Sequence, residues 1–98
     1  MTPSPSIKLR RVLVVDDNHD GAYSMALLLK ACGHTVMTAL SGAAALSLSQ
    51  EFHPEIAIVD LWMPKVDGFD VGRHLRRAPG GDSLVMIGNS DRPFQCQL

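Results

Sequence analysis

Apolar positions along this chain come in blocks, and the blocks have two different periods. "RVLVV", residues 11–15, is a continuous branched run that stops at Asp16 and Asp17. Such a run predicts a strand buried on both faces. "NHDGAYSMALLLKACG", residues 18–33, has helical spacing instead. Asn18, His19 and Asp20 offer capping oxygens or a polar start, and Gly33 offers a stop. Ala22, Met25, Leu28 and Leu29 are expected on its inner face. "HTVMTAL" predicts a second strand. "SGAAALSLSQEFH" predicts a second helix, capped by Ser41 and ended before Pro54. "EIAIVD" is a third strand, again ending in an acid, Asp60. A third helix is expected from near Gly68 to before Pro79, and "LVMI", residues 84–87, as a fourth strand.

The order β-α-β-α-β-α-β implies parallel strands joined by helical crossovers. In such open sheets the ligand site lies beyond the carboxyl ends of the strands. Asp16, Asp17 and Asp60 all occupy that end. If the first and third strands are neighbours, three carboxylates converge. Crowded carboxylates repel, and a divalent cation relieves the repulsion. No Cys or His stands at the same strand ends, so a hard, oxygen-seeking ion such as Mg²⁺ fits best. A carboxylate beside Mg²⁺ can also act as a nucleophile toward phosphorus. The plainer alternative is that the two adjacent acids only cap the following helix.

Bulk properties narrow the setting. With 98 residues, 46% of them apolar, the chain should form one small domain with a core. A formal net charge of −1 offers no electrostatic footprint for nucleic acid or an anionic membrane. Cys32 and Cys96 lack metal-ligand spacing and read as reduced thiols. "MTPSPSIKLRR" has no apolar core of a signal peptide, and no apolar run is long enough to span a bilayer. A cytoplasmic protein is therefore expected. The four histidines, His19, His34, His53 and His74, are scattered, and "RHLRR" at 73–77 reads as a solvated helix face.

The residues singled out also fit a family. "VLVVDDN" at 12–18, "IAIVDLWMPKVDGFDV" at 56–71 and the helix pattern between them resemble the receiver domain of bacterial response regulators. Met63-Pro64 and Asp67-Gly68 match that family's turn after its phosphorylated acid. The resemblance implies a flavodoxin-like doubly wound parallel sheet, strand order 2-1-3-4, with the fifth strand and last helices absent from these residues. The resemblance spans a receiver domain over 11–87; the Pro- and Ser-rich start reads as a flexible arm over 1–10, and the patternless end as an irregular tail over 88–98. Asp60 then matches the phospho-acceptor. Asp16, Asp17, Asp60 and the backbone carbonyl of Trp62 match the ligands of Mg²⁺. The implied reaction takes a phosphoryl group from a sensor histidine kinase or phosphotransfer protein onto Asp60. The chain would be no enzyme beyond catalysing its own phosphorylation and dephosphorylation.

Two family positions match poorly. A hydroxyl residue is expected at the end of the fourth strand, where this chain has Gly88, Asn89 and then Ser90. A Lys-Pro pair is expected after a fifth strand, and only Arg92-Pro93 resembles it, without an intervening helix and strand. Arg supplies charge but not the compact ammonium of Lys. An alternative function follows: a truncated receiver that cannot switch and serves as a binding module. Another is a small Mg²⁺-dependent phosphatase with Asp60 as nucleophile. That one lacks the acid two residues on, where Trp62 stands. Without a fifth strand the fourth becomes an open edge, and self-association through that edge is expected.

Overall fold

The computed structural model describes residues 9–61 and 68–89. Four strands form one parallel sheet in the order β2-β1-β3-β4. They are β1 (Arg11–Val15), β2 (Thr35–Ala39), β3 (Ile56–Asp60) and β4 (Val85–Asn89). Between them run α1 (His19–Ala31), α2 (Gly42–Phe52) and α3 (Gly68–Arg77), with a single 3₁₀ turn at Gly81–Ser83 before β4. This is the doubly wound parallel arrangement that the alternating periods predict.

The termini of the helices follow local chemistry. The Asn18 side chain accepts from the Gly21 N–H, and Ser41 accepts from the Ala44 N–H, so each caps its helix. Gly33, at φ 98°, turns the chain from α1 into β2 in a conformation that L side chains rarely adopt. Arg76 was expected on a solvated face. Instead its Nη1 donates to Gly81 O at 2.7 Å and Leu84 O at 2.6 Å, pinning the turn ahead of β4.

Side chains separate onto two faces. Leu13, Val15, Ala57 and Val59 meet α2 and α3, where Val71 and Leu75 are buried. Val12, Val14 and Val36 meet Ala22 and Ala26 of α1 on the other. One expectation fails here. Leu28 is 63% exposed, and Ala26 takes the inward place assigned to it. The buried arc of α1 is narrow because two alanines seat the helix close to the sheet, and Leu28 falls outside that arc. The fourth strand also differs, running from Val85 to Asn89 rather than from Leu84 to Ile87. Gly88 and Asn89 break the apolar pattern but keep the register, opposite Val59 and Asp60.

At the amino ends of the strands, Glu55 fastens the sheet. Its carboxylate accepts from the Arg11 N–H at 3.0 Å and from Arg10 Nη1 at 3.3 Å. Its own N–H donates to Arg11 O at 2.8 Å, and its carbonyl accepts from Val85 N–H at 3.0 Å. The backbone hydrogen bond from Arg11, aided by the two guanidinium charges, holds the Glu55 carboxyl below the usual glutamate range. A depressed folded pKa contributes stability above the unfolded value of about 4.3, and that contribution is lost as pH falls through the folded value. Glu55→Gln should therefore lower the urea midpoint at neutral pH and make no difference in strong acid. A gap between the two proteins that stays constant with pH would remove Glu55 from this role.

Candidate functional site

The parallel pairing of β1 with β3 brings the two acid-bearing strand ends side by side. Asp16 follows β1 directly, and its N–H donates to Ala39 O at 3.0 Å, prolonging the contact with β2. Asp60 is the last residue of β3 and is only 6% exposed, while Asp17 is open to solvent. One carboxylate oxygen from each of Asp16, Asp17 and Asp60 lies within 4.8 Å of the others. The convergence expected from topology is present.

The loop from β1 into α1 is built around the first acid. Asp16 Oδ1 accepts from the Asn18 N–H at 2.9 Å, and Asn18 then caps α1. A Cβ at Gly21 would stand 2.8 Å from Asp16 Oδ2. Glycine in the first turn of α1 thus gives the Asp16 carboxylate room against the helix. Nothing in the spacing of the sequence marks that role, because it depends on the side-chain direction of Asp16. The capping role of Asn18, by contrast, is legible from its type and place.

The donor set tests the expected ion. Three carboxylates, two of them buried, offer only oxygen ligands, which suits a hard divalent cation such as Mg²⁺. Among the described residues no His or Cys joins the cluster, which disfavours soft metals. The residues fit the ion. Trp62, the proposed carbonyl ligand, and Ser90 and Arg92 lie outside the described residues, as do Met63, Pro64 and Asp67. What β4 does place beside Asp60 is the backbone of Asn89, its partner in the sheet. Sequence reasoning had looked one residue further on, to Ser90.

The chain matches the family model described as "Response regulator receiver domain" over residues 12–96. That match continues past residue 87, where the sequence resemblance was expected to stop, and does not favour the truncated binding module. The chain is 37% identical over 87 residues to a gliding motility regulatory protein of Myxococcus xanthus, covering 89% of this chain and 11% of that protein. It is 30% identical over 79 residues to Protein PilH of Pseudomonas aeruginosa, covering 81% of this chain and 65% of that one. The chain thus spans less than two thirds of these relatives. Among solved structures, Vibrio cholerae chemotaxis protein CheY4 superposes with a TM-score of 0.75 at 26% identity, covering 92% of this chain and 77% of that one. A receiver domain from Methylobacillus flagellatus shares the fold, with a TM-score of 0.80.

Proposed function

Because the chain belongs to the response regulator receiver domain family of two-component systems, we propose that it accepts a phosphoryl group on Asp60 with Mg²⁺ held by Asp16, Asp17 and Asp60. The observation that carries this reading is the convergence of the three carboxylates at adjacent strand ends. Of the three, Asp60 ends its own strand, with the backbone of β4 on its far side.

Asp60 acts as the nucleophile in this reading. One carboxylate oxygen forms the new O–P bond as the N–P bond of a donor phosphohistidine breaks, and the imidazole leaves with the bonding pair and takes up a proton. The product is an acyl phosphate. Asp16 and Asp17 hold the cation, and the bond from the Asn18 N–H keeps Asp16 turned toward it. Bound Mg²⁺ supplies positive charge against the phosphoryl oxygens. The Trp62 carbonyl is the further protein ligand, and Ser90 and Arg92 are the candidates for contact with the phosphoryl group. The physiological donor is a sensor kinase or a phosphotransfer protein. No helix of the described residues is long and apolar enough to cross a membrane.

The test uses a small acyl-phosphate donor and mass spectrometry. A phosphoryl adduct that forms with Mg²⁺, fails to form with a chelator, and is lost in alkali supports the reading. No adduct under either condition rejects it.

Metal binding has its own readout. A ligand that binds only the folded state stabilises it by about 1.4 kcal/mol at tenfold excess over its Kd. For a domain of this size that raises Tm by roughly 4–8 °C per kcal/mol. Mg²⁺ should therefore raise the Tm of the wild type by several degrees and leave Asp17→Asn nearly unmoved. An equal rise in both would take Asp17 out of the metal site.

A further inference from the structure

The fourth strand carries no instruction about its own register. Leu84, Val85, Met86 and Ile87 are all apolar. Leu84 and Met86 join the cluster against α2 and α3, and Val85 and Ile87, alternating with them, take the other face. A slip of one residue turns every side chain to the opposite face, yet here it would leave both faces apolar. The ladder does not decide either. The Val85 N–H donates to Glu55 O at 3.0 Å, but a neighbouring amide shifted into that place would donate as well. The register must be set from outside the strand.

Arg76 is placed to set it. It follows Leu75, which is 1% exposed in the core, so the helix that carries it is anchored. Its Nη1 donates to Gly81 O at 2.7 Å, to Asp82 O at 3.4 Å and to Leu84 O at 2.6 Å. A cation near a helix end ordinarily serves the last carbonyls of its own helix. These three carbonyls belong instead to the turn and the residue that lead into β4. Gly81 seats that turn on α3, because a Cβ there would strike the carbonyl oxygens of Leu75 and Arg76. Leu84 stands one residue before Val85, the first β4 residue paired with β3. A slip along the strand would carry the Leu84 carbonyl about 3.3 Å from its place, and the next carbonyl in line points to the other side.

We propose that Arg76 is a positioning residue for the acid site: it fixes the register of β4 and thereby the backbone that stands beside Asp60. In that register Asn89 is the sheet partner of Asp60, and a slip sets a different residue there. The consequence for phosphoryl transfer rests on the reading of Asp60 as the acceptor; the register itself does not. The cation site is spared. Asp16 and Asp17 follow β1 and Asp60 ends β3, and Glu55 fastens those two strands to each other at their amino ends. Loss of Arg76 therefore separates two properties of one site: metal binding stays and transfer slows.

Amide hydrogen exchange followed by NMR on the full chain tests the register. Arg76→Met removes the donor and keeps a long side chain. Protection of the β4 amides should fall by about tenfold or more while the β1 and β3 amides keep theirs. Arg76→Lys returns a cationic donor to the same side chain and should recover most of the protection. Labelling of Asp60 by the small donor at saturating Mg²⁺ should slow by about 10- to 100-fold in Arg76→Met, the cost of a misplacement on the ångström scale. Mg²⁺ should raise the Tm of that variant as far as it raises the wild type, and labelling should recover in Arg76→Lys. Circular dichroism confirms that each variant is folded; if Arg76→Met unfolds, Arg76→Gln replaces it. Unchanged β4 protection in the variant overturns the proposal. So does protection lost equally from all four strands, which is general destabilisation, and so does full-rate labelling despite a loosened β4. Exchange needs no donor, so a wild type that takes up no phosphoryl group rejects the acceptor reading while the register is still decided.

Discussion

Asp60→Asn should take up no phosphoryl group under conditions that label the wild type. The neutral amide oxygen lacks the negative charge that makes the carboxylate a nucleophile toward phosphorus, and attack through it would not leave an acyl phosphate, so the loss is complete rather than graded. The substitution is nearly isosteric, and the site is buried at the end of a central strand. Packing is preserved, so unfolding is not the cause of the loss. Removing one of three clustered negative charges also relieves repulsion. In the absence of Mg²⁺ the variant should melt no lower than the wild type. The same change removes one cation ligand, so the rise in Tm with Mg²⁺ should shrink. The three readouts together separate a lost nucleophile from a lost fold. Labelling that persisted in Asp60→Asn would move the acceptor elsewhere, with Asp16 and Asp17 the first places to look.

The acid cluster was legible in the sequence because its formation needs only topology. Acids at the carboxyl ends of parallel strands meet once those strands are neighbours, and the alternating periods dictate that arrangement. The strand "RVLVV" was readable to the residue for the same reason, since after the exposed Arg11 every position up to Val15 is apolar and buried. Two kinds of feature were not readable. The inner arc of α1 depends on how near the helix sits, and Ala22 and Ala26 let it sit near enough to exclude Leu28. The end of β4 depends on register with β3, which carries Gly88 and Asn89 into the strand against their own weak propensity. Arg76 illustrates the same limit. A guanidinium at the end of a basic helix looks solvated until the following turn brings two carbonyls within its reach.

Leu13→Ala should be the most damaging single change to the fold. Leu13 is 0% exposed, in the middle of β1, with Met37 and Ala57 as its neighbours across the sheet. It belongs to the cluster that joins the sheet to α2 and α3. Several members of that cluster, Ala39, Ala45 and Ala57, are themselves alanines. They have no side-chain length with which to fill a void. The cavity should therefore persist, which places the loss toward the upper part of the roughly 2–5 kcal/mol range for burying one less leucine. A domain this small holds only ~5–15 kcal/mol in total. The urea midpoint should fall steeply with the m-value unchanged. Leu40→Ala, at a side chain 43% exposed beyond the end of β2, should lose about 0.5 kcal/mol or less. The consequence reaches the site, because β1 leads directly into Asp16 and Asp17. At a temperature where Leu13→Ala is partly unfolded, Mg²⁺ should restore folded protein by mass action. Equal losses in the two leucine variants would show that β1 does not carry the core.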